Sequence, residues 1–143
     1  EGNRKYYQAN RASPVFPELK SLLIKTAGLG DLLRKNLSQN RDSIRIAFLF
    51  GSYARGSEDS SSDIDLLVIG KITGRALSGL LAPARETLRR EINVLILPPS
   101  ELRKRIADDS GFIMEVLDQP KIFLIGDEDE LGRLAERRLP QIP

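Results

Sequence analysis

The 143-residue chain has room for one domain, or one domain with an appended segment. Apolar residues at 41% and charged residues at 29% give the balance of a folded, soluble protein, and the absence of Cys and His excludes disulfides, thiolate or imidazole metal sites and histidine acid-base catalysis. The net charge of +2 is unevenly spread: residues 1–45 hold nine Lys/Arg against four Asp/Glu, and residues 46–143 hold thirteen against sixteen.

Any metal must therefore be held by oxygen ligands, and with Trp absent and aromatics at 6% there are few platforms for stacking single-stranded nucleic acid. No apolar run approaches the ~18 residues of a membrane-spanning helix, and the N-terminus lacks the basic-then-apolar order of a signal peptide, so no membrane partner and a cytoplasmic location are expected. The chain opens at Glu1 and its one methionine is Met114, which leads us to expect a processed or truncated product.

Residues 1–16 read as an extended arm, and residues 17–143 as the domain. Pro17 stands at a first helical position, and Leu19, Leu22, Leu23 and Ala27 follow at helical spacing until Gly28 and Gly30 end or kink the helix. A short helix over Asp31–Leu37 comes next. Ile44–Phe50 (Ile-Arg-Ile-Ala-Phe-Leu-Phe) is rich in β-branched and aromatic residues and predicts a strand that stops at Gly51. A polar loop, 57–62, leads to a second strand, Asp63–Ile69, apolar on both faces in its later half.

Leu77–Arg90 has helical spacing, with Pro83 near a first turn or at a kink. Glu91–Leu97 predicts a third strand, closed by Pro98 and Pro99. Helical pieces start at Ser100 and run over Gly111–Leu117, Lys121–Ile125 is a fourth strand, and the acidic run from Asp127 opens a last helix to about Leu139. Strands alternating with helices make this an α/β (α+β) domain with a mixed sheet of about four strands.

The chemistry lies in Gly51-Ser-Tyr-Ala-Arg-Gly-Ser-Glu-Asp-Ser-Ser-Ser-Asp-Ile-Asp65. Within a strand, Asp63 and Asp65 point to one face with α-carbons ~6.5–7 Å apart. Two carboxylates held together repel unless a cation neutralises them, and a hard divalent ion such as Mg²⁺ or Mn²⁺ suits one or two carboxylates plus phosphate oxygens. Gly51-Ser52 follows directly on a strand, where backbone N–H groups and a hydroxyl can receive phosphate. Either feature alone is as readily an ordinary turn or a solvated acid; together they put a phosphate-shaped bend beside a metal-shaped pair.

Gly-Ser, ten residues, then Asp-x-Asp resembles the signature of the nucleotidyltransferase superfamily that includes DNA polymerase beta, and the small size with Ala54-Arg55-Gly56 and Ser62-Asp-Ile-Asp65 resembles its minimal prokaryotic branch. The resemblance implies a nucleoside triphosphate as substrate or ligand, held at Gly51 and Ser52 with Arg55 reaching a phosphate oxygen, and metal ions on Asp63 and Asp65. The family carries a third carboxylate on the next strand. Here Asn93 aligns with it, and an amide adds no negative charge and cannot serve as a base. Glu91, two residues earlier on the same face, is the substitute candidate.

A second resemblance joins Gly2–Asn10 and Ser13–Leu19 to the wing and exit of a winged-helix domain in prokaryotic transcriptional regulators, which implies DNA binding only through an absent upstream domain. Three readings stay open: a Mg²⁺-dependent transferase acting on an acceptor hydroxyl, a catalytically weakened triphosphate sensor in such a regulator, and an antitoxin-type partner of a toxin. Tyr6, Tyr7 and Phe16 offer apolar surface for a homodimer contact.

Overall fold

Four apolar runs become the four strands of one mixed sheet in the computed structural model, which describes residues 28–56 and 63–135. The expected arm, the helix opening at Pro17 and the 57–62 loop lie outside those residues. The chain divides into two compact units, residues 1–32 and 33–143. Of the first, the described part is residues 28–32, where helix α1 (Leu29–Leu37) begins. Gly30 therefore sits inside that helix's first turn, and how it bears on the expected helix before it lies outside the described residues.

The strands are β1 (Ile44–Phe50), β2 (Ile64–Gly70), β3 (Ile92–Leu97) and β4 (Ile122–Ile125). Their order is β3-β2-β1-β4, with β1 antiparallel to both β2 and β4 and β2 parallel to β3. A parallel pair needs a crossover. Helix α3 (Gly74–Leu88) supplies it, while the five-residue α2 (Gly51–Arg55) lies between β1 and β2. After β3 come α4 (Pro99–Ala107) and α5 (Gly111–Asp118), and after β4 comes α6 (Glu128–Ala135).

Alternation sorts the strand residues onto two faces. Ile46, Phe48, Leu67 and Ile69 pack in one cluster with Leu102 of α4, Ile113 and Val116 of α5 and Leu131 of α6. Ala47, Leu49, Leu66 and Val68 point the other way and are just as fully buried. Each such Val, Leu, Ile or Phe side chain contributes about 1.5–3 kcal/mol from burial, which makes the sheet a rigid base for what stands at its ends.

Two expectations for helices change. α3 starts at Gly74, three residues before Leu77, because the Thr73 side chain caps it by accepting from the Ala76 N–H at 3.0 Å. Pro83 then falls well inside the helix. It is tolerated because it is exposed, as is Gly79 one turn earlier, whose carbonyl loses its partner to water and not to the core. Pro99 opens α4 at a position where its missing N–H costs nothing, in addition to ending β3. Among the described residues no helix is long and apolar enough to cross a membrane.

Candidate functional site

The site forms at one end of the sheet, where β1 finishes and β2 and β3 begin. Antiparallel pairing sets Asp65 opposite Phe50, and parallel pairing sets Asn93 beside Asp65. Residues paired across a ladder share a face, so Phe50, Asp65 and Asn93 project together, on the side that carries Phe48, Leu67 and Leu95. Asp63 precedes β2 by one residue and turns to the same side. The Asn93 amide shows this directly: its Nδ2 donates to Asp63 Oδ2 at 3.1 Å and to Asp65 Oδ1 at 3.4 Å.

An amide nitrogen between two carboxylates is the orientation electrostatics requires, since the oxygen would add a third negative end. Asp63 and Asn93 are exposed and Asp65 is half-buried, which leaves the pair open to solvent and to a ligand.

Gly51 closes the site from the side of β1. It enters α2 with φ at +73°, a left-handed backbone that side chains rarely adopt. A β-carbon there would collide with Asp65 Oδ2. The Gly51-Ser52 bend is thus pressed against the carboxylate, at a backbone conformation that favours glycine. Gly56, also left-handed at φ 75°, ends α2 one residue after Arg55.

The remaining sequence candidates are placed less centrally. Arg55 is exposed and its Nη1 donates to Gln119 Oε1 at 3.4 Å, which ties α2 to the entry of β4. Glu91 is exposed, and its backbone carbonyl accepts from the Ile64 N–H at 2.9 Å. Among the described residues no three carboxylates gather in a group able to hold a metal. The acids brought together are Asp63 and Asp65, with an amide completing the trio.

Three neighbours of the site escaped the sequence reading. The Arg90 guanidinium lies over the Tyr53 ring, 5.8 Å from its centroid, which brings a cation to the helix that carries Gly51 and Ser52. Phe112 packs edge-to-face on Phe50 with centroids 6.1 Å apart. The Lys121 side chain is 4% exposed, and its ammonium donates to the carbonyls of Leu117 (2.7 Å) and Gln119 (3.2 Å), capping the end of α5. The Arg89-Arg90 pair just before a strand was a visible signal for the first; the other two depend on which strands lie side by side.

Residues 33–126, which span the whole sheet and the site, match the family described as Polymerase beta, Nucleotidyltransferase. The chain belongs to this nucleotidyltransferase family. Solved structures agree with the fold. A chain of a toxin–antitoxin crystal structure containing AMP-PNP is 18% identical with a TM-score of 0.52, over 75% of this chain and 81% of that chain. A chain from a mutant of the MntA–HpeT toxin–antitoxin pair is also 18% identical, with a TM-score of 0.53 over the same shares. No curated protein matches significantly in sequence. Within the matched residues, Gly51 lies against the Asp65 carboxylate, and Asp63 and Asp65 share the Asn93 amide.

Proposed function

We propose that this chain binds a nucleoside triphosphate with a divalent cation and transfers its nucleoside monophosphate to an acceptor hydroxyl. The observation that carries the reading is the convergence of the Asp63 and Asp65 carboxylates on one amide nitrogen, hard against the Gly51 backbone. The donor set fits Mg²⁺ or Mn²⁺: two carboxylates leave the remaining positions of a hard cation to phosphate oxygens and water. When bound, such an ion neutralises charge on the triphosphate and on the departing pyrophosphate.

The chain's own residues do the rest. Asp63 and Asp65 fix the position of the positive charge. Gly51 and Ser52 receive the phosphates at a bend where glycine contributes no side chain of its own. Arg55, at the end of α2, and Arg90, over the Tyr53 ring of that helix, add charge for phosphate oxygens. Asn93 holds the two acids in register while the site is empty, and can turn its oxygen towards a cation when one arrives.

A second reading is favoured by Asn93 itself. With an amide where the family has a third carboxylate, no base from β3 takes the acceptor's proton unless Glu91 serves, so binding survives more readily than turnover. The domain would then sense triphosphate for an attached or associated partner. The fold likeness to chains of toxin–antitoxin structures supports a toxin as that partner. Residues 1–16 would serve as an arm to the domain of residues 17–143, and an upstream winged-helix domain would carry any DNA contact.

Incubation with each labelled nucleoside triphosphate and Mg²⁺, with pyrophosphate release followed, tests the primary reading. Release that disappears when Asp63→Ala and Asp65→Ala are combined supports transfer. Metal-dependent binding without release supports the sensor, and binding that ignores metal and both substitutions rejects the site.

A further inference from the structure

Phe112 is the large hydrophobic side chain that stands out to solvent among the described residues, 52% exposed at the start of α5. Its place is specific. Asp65 and Phe50 are cross-strand partners, with α-carbons roughly 4.5–5.5 Å apart and side chains on one face. Phe50 in turn meets Phe112 at 6.1 Å between centroids and 74° between ring planes. A row therefore leads from the carboxylate pair through Phe50 to Phe112. The rings meet nearly at right angles, and the 52% exposure of Phe112 leaves about half of that residue to solvent at the end of the row.

We propose that Phe112 is the stacking platform for the base of the bound nucleoside triphosphate. The proposal rests on the nucleotide-binding reading above and extends it to the base. With phosphates at Gly51 and the metal at Asp63 and Asp65, the ring lies within a nucleotide's reach of the reacting end. The size of the feature also selects its occupant. A stable protein interface covers about 800 Å² on each partner and excludes charge from its centre. Phe112 is a lone ring beside exposed Gly111 and Glu115, matched to one heterocycle. A stack on a phenyl face needs no hydrogen bonds to the base edge, so it accepts purines and pyrimidines and favours the larger purine surface.

Calorimetry of the full chain with Mg²⁺ and either ATP or inorganic tripolyphosphate separates base from phosphate binding. Phe112→Ala should weaken ATP by about 5- to 150-fold, the loss of one base stack, and leave tripolyphosphate unchanged. Phe112→Trp should keep ATP affinity, and since the chain has no other tryptophan its emission should be quenched by ATP and not by tripolyphosphate. Equal weakening of both ligands by Phe112→Ala, or unchanged ATP affinity, overturns the platform. So does a loss of self-association or partner binding in that variant with ATP affinity intact, which would make the ring a protein contact. If the unsubstituted chain binds neither ligand, the nucleotide reading itself falls and takes the platform with it.

Discussion

The α-carbon of Gly51 stands so close to the Asp65 carboxylate that a β-carbon on the glycine would collide with Oδ2 and lie 3.3 Å from Cγ. The Gly51-Ser52 bend and the Asp65 carboxylate are thereby one structural unit. Gly51→Ala should lower the unfolding free energy by about 1–2 kcal/mol, from the left-handed backbone, since the collision is with the free end of the Asp65 side chain, which can turn aside. Urea denaturation measures this. In the folded fraction, displacement of Asp65 should abolish Mg²⁺-dependent nucleotide binding.

Asp63→Asn and Asp65→Asn should separate stability from function. Each removes one of two facing negative charges, so thermal unfolding without metal should stay level or move upward. The added stability from Mg²⁺ and triphosphate, about 2.7 kcal/mol at a hundredfold excess over Kd, should vanish. Melting curves with and without ligand give both results.

Asn93→Asp restores a third carboxylate at the price of two hydrogen bonds to charged acceptors. In EDTA the variant should be less stable by about 1–3 kcal/mol. In Mg²⁺ it should bind the ion more tightly than the native chain, by calorimetry, and pyrophosphate release should rise. Tighter metal binding with no gain in release would favour the sensor reading.

These substitutions also mark what could be read from the chain before it folds. β1 and β2 announce themselves because a run of β-branched and aromatic residues stops at a glycine. The strand period expected to pair Asp63 with Asp65 fails by one residue, since β2 begins at Ile64, yet the Asn93 amide still brings the two acids together. The direction of the Asn93 amide, the Phe50–Phe112 contact and the Arg90–Tyr53 stack need the order β3-β2-β1-β4, and a local pattern carries nothing about which strand lies beside which. The start of α3 was legible in principle: Thr73 three residues before Ala76 is a capping signal, overlooked in favour of the apolar spacing that begins at Leu77.

Thr73→Ala should therefore cost about 1 kcal/mol by exposing the first turn of α3. Thr73→Ser should recover most of it in the same denaturation experiment.

Acid sensitivity should have a local source at α6. The hydrogen bond from Arg133 at 2.6 Å, and then that from Arg45 at 3.0 Å, hold the Glu130 carboxyl below its ordinary range. A depressed carboxylate contributes stability above the unfolded value, about 4.3, and loses it as the pH falls through the lower folded value. Glu130→Gln should flatten the dependence of stability on pH below about 4.5, by chemical denaturation across that window, and leave it unchanged near neutrality.

The pairing of Asp65 with Asn93 across two parallel strands has a consequence for how this chain can diversify. A slip of one residue between those strands would turn the amide to the opposite side of the sheet and bring Ile92 or Val94 to the acids, extinguishing the site with scarcely a change in outline. Insertions in the crossover helix or its flanking turns are therefore tolerable only where they preserve that alignment, so lineages descended from this sequence should vary in length elsewhere.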